Sequence, residues 1–66
     1  MYTLSIAYDG KRIASWDFAD ALSAVHEFDK CVDAGDSKEY ATYNLSDPIG
    51  KMYTKTFYRN GNVSVK

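Results

Sequence analysis

The sequence holds one cysteine, Cys31, and one histidine, His26, the pair from which a thiol nucleophile and its base could be built. On one helix their five-residue spacing is about 500° of rotation, or roughly 140° after a full turn, so the side chains leave in different directions. No third group stands ready to orient the imidazole, and a Cys–His catalytic pair within one helix is sterically poor. Cys31 reads better as a small residue flanking an apolar stripe. A metal site needs several Cys, His, Asp or Glu ligands at suitable spacing. Asp29, Asp33 and Asp36 gather only near an expected helix end, where carboxylates oppose the dipole. Gly50-Lys51 and Asn60-Gly61 precede no helix and lack the spacing of a phosphate loop. Asp17 and Asp20 are better explained as a helix cap than as paired carboxylates. The expectation is a protein that is not an enzyme, with no catalytic residue, no metal and no cofactor.

The elements that carry these residues follow from periodicity. Tyr2, Leu4, Ile6 and Tyr8 alternate with Thr3, Ser5 and Ala7, the period of two that marks a half-buried strand. Asp9-Gly10 is a turn signal, and Arg12 to Trp16 continues as a second strand. A two-residue turn would set Leu4 opposite Ser15. A three-residue loop ending at Gly10 sets Leu4 opposite Ala14 and Tyr2 opposite Trp16, gathers the large apolar groups on one face, and is preferred; Ile13 then points the wrong way. Asp17 is the expected N-cap, with Asp20 adding charge to the first turn. Phe18, Ala21, Leu22, Val25, Phe28 and Val32 form one helical stripe, and Gly35 is the expected stop. Lys38 to Leu45 and Met52 to Tyr58 read as strands, separated by the breakers Pro48 and Gly50. Arg59-Asn60-Gly61 is a three-residue loop that puts Phe57 and Val63 on one face.

The resulting string is ββαβββ: a single α+β domain over residues 1–66, an antiparallel sheet with one amphipathic helix packed across one face. Its expected core is Leu4, Ile6, Trp16, Leu22, Val25, Phe28, Tyr43, Phe57 and Val63. A chain of 66 residues makes one domain at most. It buries roughly 60% of its unfolded surface, which leaves little stability to support a strained site. With a single cysteine no internal disulfide can form, which favours a reducing, cytoplasmic location. The N-terminal residues lack the basic and apolar regions of a signal peptide, and no apolar run approaches the ~20 residues that span a bilayer.

With chemistry excluded, surfaces remain. Net charge is −1, but residues 17–37 sum to −5 and residues 38–66 to +3. One candidate binding face is the outer side of the sheet: Tyr40, Thr42, Asn44, Met52, Thr54, Thr56 and Tyr58. It is hydroxyl-rich, it carries aromatics of the kind that stack bases, and Lys38, Lys51, Lys55 and Arg59 lie close by in sequence. The other is an acidic helix face of Asp20, Glu27, Asp33 and Asp36, suited to a basic patch on another protein.

Two stretches resemble known families. Trp16-Asp17-Phe18 leading into an Ala-rich helix is similar to the DNA-binding modules of plant ethylene-response factors. Two strands precede the helix where that family has three, and the arginine-rich reading sheet is missing, so no function is carried over. Tyr40-Ala41-Thr42-Tyr43-Asn44-Leu45-Ser46-Asp47-Pro48, followed by Gly50-Lys51-Met52-Tyr53-Thr54, resembles the very small accessory proteins encoded by bacteriophages. That resemblance implies an inhibitor or accessory protein acting in the host cytoplasm by binding a host or defence protein. The expected partner is therefore another protein. A nucleic acid on the Tyr/Thr face is the alternative, and a homodimer joined through edge strands or the outer sheet face is a third reading.

Overall fold

A computed structural model describes residues 1–65, with Lys66 outside the described residues. Five strands, β1 (Tyr2–Tyr8), β2 (Lys11–Phe18), β3 (Tyr40–Ser46), β4 (Met52–Tyr58) and β5 (Val63–Val65), form one antiparallel sheet in the order β2-β1-β3-β4-β5. A single helix, α1 (Ala21–Asp29), lies across one face over β1, β2 and β3. The architecture is the small α+β domain of order ββαβββ that the periodicity predicts.

The first hairpin reaches its register by a different device from the one expected. Asp9 (φ 54°) and Gly10 (φ 85°) both adopt left-handed backbone, and Tyr8 pairs directly with Lys11, so the turn has two residues rather than three. The register then slips between Ile6, opposite Ala14, and Ala7, opposite Arg12, which leaves Ile13 as the extra residue of a β-bulge. The expected pairs Leu4–Ala14 and Tyr2–Trp16 are replaced by Leu4–Trp16, Ile6–Ala14 and Tyr2–Phe18. The large apolar groups still share a face, because the bulge restores the parity that the short turn breaks. Ile13, the residue expected to point away from the apolar face, is the bulge itself.

An L-residue at φ 54° is unfavourable unless something compensates. The Asp9 carboxylate accepts backbone N–H groups from Lys38 (2.9 Å), Glu39 (2.7 Å) and Tyr40 (3.1 Å), and the Asp9 amide donates to the Tyr40 carbonyl (2.9 Å). The turn thereby anchors the start of β3 beside β1. The last hairpin follows expectation: Phe57 pairs with Val63 around a loop of Arg59, Asn60 and Gly61, the glycine at φ 96°.

The helix departs most from its sequence reading. Asp17 and Phe18 continue β2, where Asp17 accepts the Thr3 hydroxyl (2.8 Å), and Asp20 is the N-cap, accepting the Ser23 amide (3.1 Å). The helix closes at Asp29 with Lys30 as its C-cap, well short of Gly35. Tertiary contacts end it there. Lys55 Nζ donates to the Phe28 carbonyl (2.7 Å), and the Tyr43 hydroxyl donates to the Asp33 carbonyl (2.6 Å), drawing the chain down over β3. Gly35 (φ 54°) lies against Tyr8, where a Cβ would collide with the Tyr8 hydroxyl.

The buried face of α1 is also rotated. Ala24 is fully buried among Leu4 and Leu45, with Tyr2, Phe18 and Phe28 packed around them, while Leu22 is 82% exposed. A small residue at the contact lets the helix approach the sheet closely, so Ala24 and Phe28 meet the strands and Leu22 and Val25 do not. Trp16, Leu22, Val25 and Val63, all expected in the core, are exposed. Ala34, Ala41, Tyr43 and Leu45 are buried with Leu4 and Ala24.

Candidate interaction surfaces

Strand parity decides what each face of the sheet presents. In the β3–β4 ladder Tyr40 pairs with Tyr58, Thr42 with Thr56, Asn44 with Thr54 and Ser46 with Met52, so the seven residues of the candidate Tyr/Thr face stand together on the side away from α1. The rows continue across β1 and β2 as Asn44–Ser5–Ser15 and Ser46–Thr3–Asp17. The hydroxyls largely satisfy one another. Thr54 donates to Asn44 Oδ1 (2.7 Å), Thr42 and Thr56 oxygens sit 3.5 Å apart, and the Tyr40 and Tyr58 rings tilt together at 5.8 Å. These are cross-strand pairs that stabilise a ladder.

Three of the four cations that lie close to that face in sequence stand on the other one. Lys51 Nζ stands over the Tyr53 ring (5.3 Å), Lys55 Nζ over the Phe28 ring (4.2 Å), and Arg59 Nη1 donates to the Gly35 carbonyl (2.9 Å), all on the helix side. Closeness in sequence to Thr54 and Tyr58 was misleading, because odd and even positions of a strand point to opposite faces. Lys51, Tyr53, Lys55, Phe57 and Arg59 form a single alternating stripe of cation and aromatic on the helix side. The same parity that identifies Tyr53 and Phe57 as inward-facing would have found it.

The acidic helix face is likewise redistributed. Asp20 is used as a cap, which lowers its carboxyl from the usual 3.8 chiefly through the Ser23 amide. Glu27 pairs with Lys30 (3.4 Å). Asp33 and Asp36 lie beyond the helix, and Asp33 accepts the Gly35 amide (2.8 Å). The four acids therefore do not form one helical surface. Cys31 donates to the Glu27 carbonyl (3.4 Å), and burial pushes its thiol up, away from the thiolate a nucleophile needs. Among the described residues no cluster of three or more His, Cys, Asp or Glu could hold a metal ion, and no helix is long and apolar enough to cross a membrane.

The helix side is where apolar surface remains. Grooves flank α1 on both sides. One of about 310 Å³ lies between Trp16, Phe18 and Cys31, and one of about 380 Å³ between Val25, Phe28, Leu45 and Tyr53. A third, of about 440 Å³, opens between Val32–Gly35 and the β4–β5 hairpin, with Phe57 and Val63 as apolar lining and Asp33 and Arg59 as charged lining. Beside it Val63 is 56% and Val65 68% exposed. Sequence reasoning placed Val63 in the core because it shares a face with Phe57, but α1 does not extend over β5.

The chain matches no protein-family model, no curated protein and no solved structure in the comparisons made with each. They add nothing to the resemblance to phage accessory proteins.

Proposed function

We propose that this chain is a non-enzymatic protein-binding module whose partner docks on the helix side of the sheet, over β4, β5 and the outward surface of α1. The observation that carries the reading is the set of large apolar side chains left uncovered there: Leu22, Val25, Val32, Tyr53, Val63 and Val65. Scattered exposed apolar residues need no explanation, but six large ones on one side of a small domain favour an interaction surface there. The outer Tyr/Thr face offers less, since its polar groups are paired with one another and the cations of β4 are absent from it. Nucleic acid is the weaker reading of the helix side too. Lys55 and Arg59 are already committed to the carbonyls of Phe28 and Gly35, which leaves Lys51 to meet a phosphate.

Photo-crosslinking tests the assignment. A benzophenone side chain at Leu22 or Val63 is expected to give a protein adduct in the protein's native cell extract, and one at Thr54 is not. Adducts from Thr54 alone, or a salt-sensitive gel shift with single-stranded nucleic acid and no protein adduct from Leu22 or Val63, overturn it.

A further inference from the structure

We infer that Asn60 is a site of spontaneous deamidation, in which the Gly61 backbone nitrogen attacks the Asn60 side-chain amide and the last hairpin loop is rebuilt as aspartate or isoaspartate. An amide nitrogen is a weak nucleophile, because resonance commits its lone pair to the peptide bond. It attacks a side chain only where the two are already neighbours and nothing crowds the approach. Asn60-Gly61 meets both conditions. Glycine has no Cβ, and beyond its chain neighbours no atom stands within 4 Å of where a Cβ on Gly61 would be. The electrophile is activated as well. Asn60 Oδ1 accepts the Asn62 amide (3.0 Å), which places a donor where negative charge develops as Cγ becomes tetrahedral.

Water is the only co-reactant. Water or hydroxide takes the Gly61 amide proton, the bond from Gly61 N to Asn60 Cγ forms, and the Cγ–Nδ2 bond breaks to release ammonia, leaving a cyclic succinimide. Water then opens the ring. Attack at Cγ breaks the new bond and gives aspartate. Attack at the Asn60 carbonyl carbon breaks the original peptide bond and gives isoaspartate, whose main chain runs through Cβ and Cγ and is longer by one carbon. The first step is resisted by the bond from the Gly61 amide to the Tyr58 carbonyl (2.9 Å). That bond lies in an exposed loop closed by β5, a strand of three residues that are themselves all exposed, and such chain ends open locally at little cost.

Similar positions elsewhere each lack a part. Asn62 precedes Val63, whose β-branched side chain crowds the amide. Asn44 precedes the buried Leu45 inside β3, and its Oδ1 is taken by the Thr54 hydroxyl (2.7 Å). Asp9-Gly10 repeats the spacing, but three backbone N–H groups hold its carboxyl as the anion, a poor electrophile. The two products at Asn60 act differently on the sheet. Aspartate keeps the backbone length and an acceptor for the Asn62 amide, so Phe57 still meets Val63. Isoaspartate inserts a carbon between β4 and β5, and a ladder of three residue pairs has little to hold its register against that. Gly61, Asn62 and Val63 also line the groove of about 440 Å³, so either product adds a negative charge beside its Arg59.

Purified protein held without denaturant for several weeks, in mildly alkaline buffer at physiological temperature, tests the site by peptide mass mapping. Fragment spectra are expected to place a gain of one mass unit at Asn60, with Asn44 and Asn62 unchanged, and an isoaspartate-specific methyltransferase should label part of the product. Asn60→Gln must close a larger ring and should stop the gain at that position. Asn60→Asp supplies the aspartate form directly and should keep the amide chemical shifts of Val63 to Val65. The isoaspartate fraction, separated by chromatography, should lose them. No gain at Asn60 in the folded protein, or an equal gain at Asn44 or Asn62, overturns the site. An isoaspartate fraction that keeps the β5 shifts overturns the loss of pairing.

Discussion

The two halves of the sheet's helix side are built from similar residues and end in different states. In the β2-β1-β3 half, Leu4, Leu45 and Ala24 close a small core beneath α1. In the β4–β5 half, Tyr53, Val63 and Val65 stay exposed at the edges of open grooves. Composition does not separate the halves; coverage does. A nine-residue helix seated on Ala24 packs against three strands and reaches β4 only where Phe28 meets Lys55. Hydrophobic side chains in the first half hold the fold together, and those in the second are available for binding.

Core truncation puts that difference to its strongest test. Leu45→Ala removes a buried side chain from the covered half and should cost about 2–5 kcal/mol, read as a lowered urea midpoint. A domain of this size has little more than that to lose, so the variant is expected to be largely unfolded. Val63→Ala in the open half should stay within about 0.5 kcal/mol of its parent. Equal losses at the two sites would erase the distinction.

Next in size is the helix seat. Ala24 is fully buried, so Ala24→Leu must lift α1 or push aside its neighbours, at a cost of about 1–3 kcal/mol. Leu22→Ala, on the same helix but facing out, should change the single chain's stability little. The opposite ranking would mean that α1 sits as the sequence stripe suggests, with Leu22 inward.

Much of this was legible in the sequence. Alternation in Tyr2–Tyr8 and in the two central strands identifies every strand face correctly, and Arg59-Asn60-Gly61 names its own loop. Three things were not legible. The bulge at Ile13 and the two-residue turn compensate each other, so a parity argument reaches the right face through the wrong loop. The end of α1 is set by Lys55 and Tyr43, which are distant in sequence and reach its last carbonyls and the strap beyond. The helix rotation is set by Ala24, whose small size matters only once a sheet lies against it. Hydrophobicity ranks Leu22 above Ala24, whereas close packing ranks them the other way. The Lys51–Arg59 stripe was only half legible: Tyr53 and Phe57 were read inward by parity, while Lys51, Lys55 and Arg59 were grouped with the outer face by proximity in sequence.

A smaller effect separates the strap over the covered half from the rest of the molecule. Burial pushes the Tyr43 hydroxyl up to about 12 from its usual 10. A raised value means the folded chain holds its proton where the unfolded chain has released it. The stabilisation is therefore complete below pH 10 and is lost as pH rises toward 12. Tyr43→Phe should remove that alkaline loss and cost about 1 kcal/mol at neutral pH for the missing bond to the Asp33 carbonyl.

The smallest effect expected distinguishes the two hairpin turns. In the first, the backbone N–H of Lys38, followed by those of Glu39 and Tyr40, holds the Asp9 carboxyl below its usual 3.8. In the last, the equivalent acceptor is the neutral side chain of Asn60, which takes the Asn62 amide (3.0 Å). A lowered carboxyl contributes stability above 3.8 and loses it as pH falls through the folded value, because protonation removes the charge that the three amides meet. The contribution is modest, since the carboxylate stays open to water and its charge is well screened. Asp9→Asn keeps an acceptor and tolerates left-handed backbone, so it should leave the turn in place and abolish the acid dependence. Amide chemical shifts of Lys38, Glu39 and Tyr40 should follow the Asp9 titration in the unsubstituted protein, and those of Asn60 to Asn62 should not. Coincident movement of both sets would mean that acid loosens the whole sheet at once, and that the anchor between the first turn and β3 is no weaker than the core it adjoins.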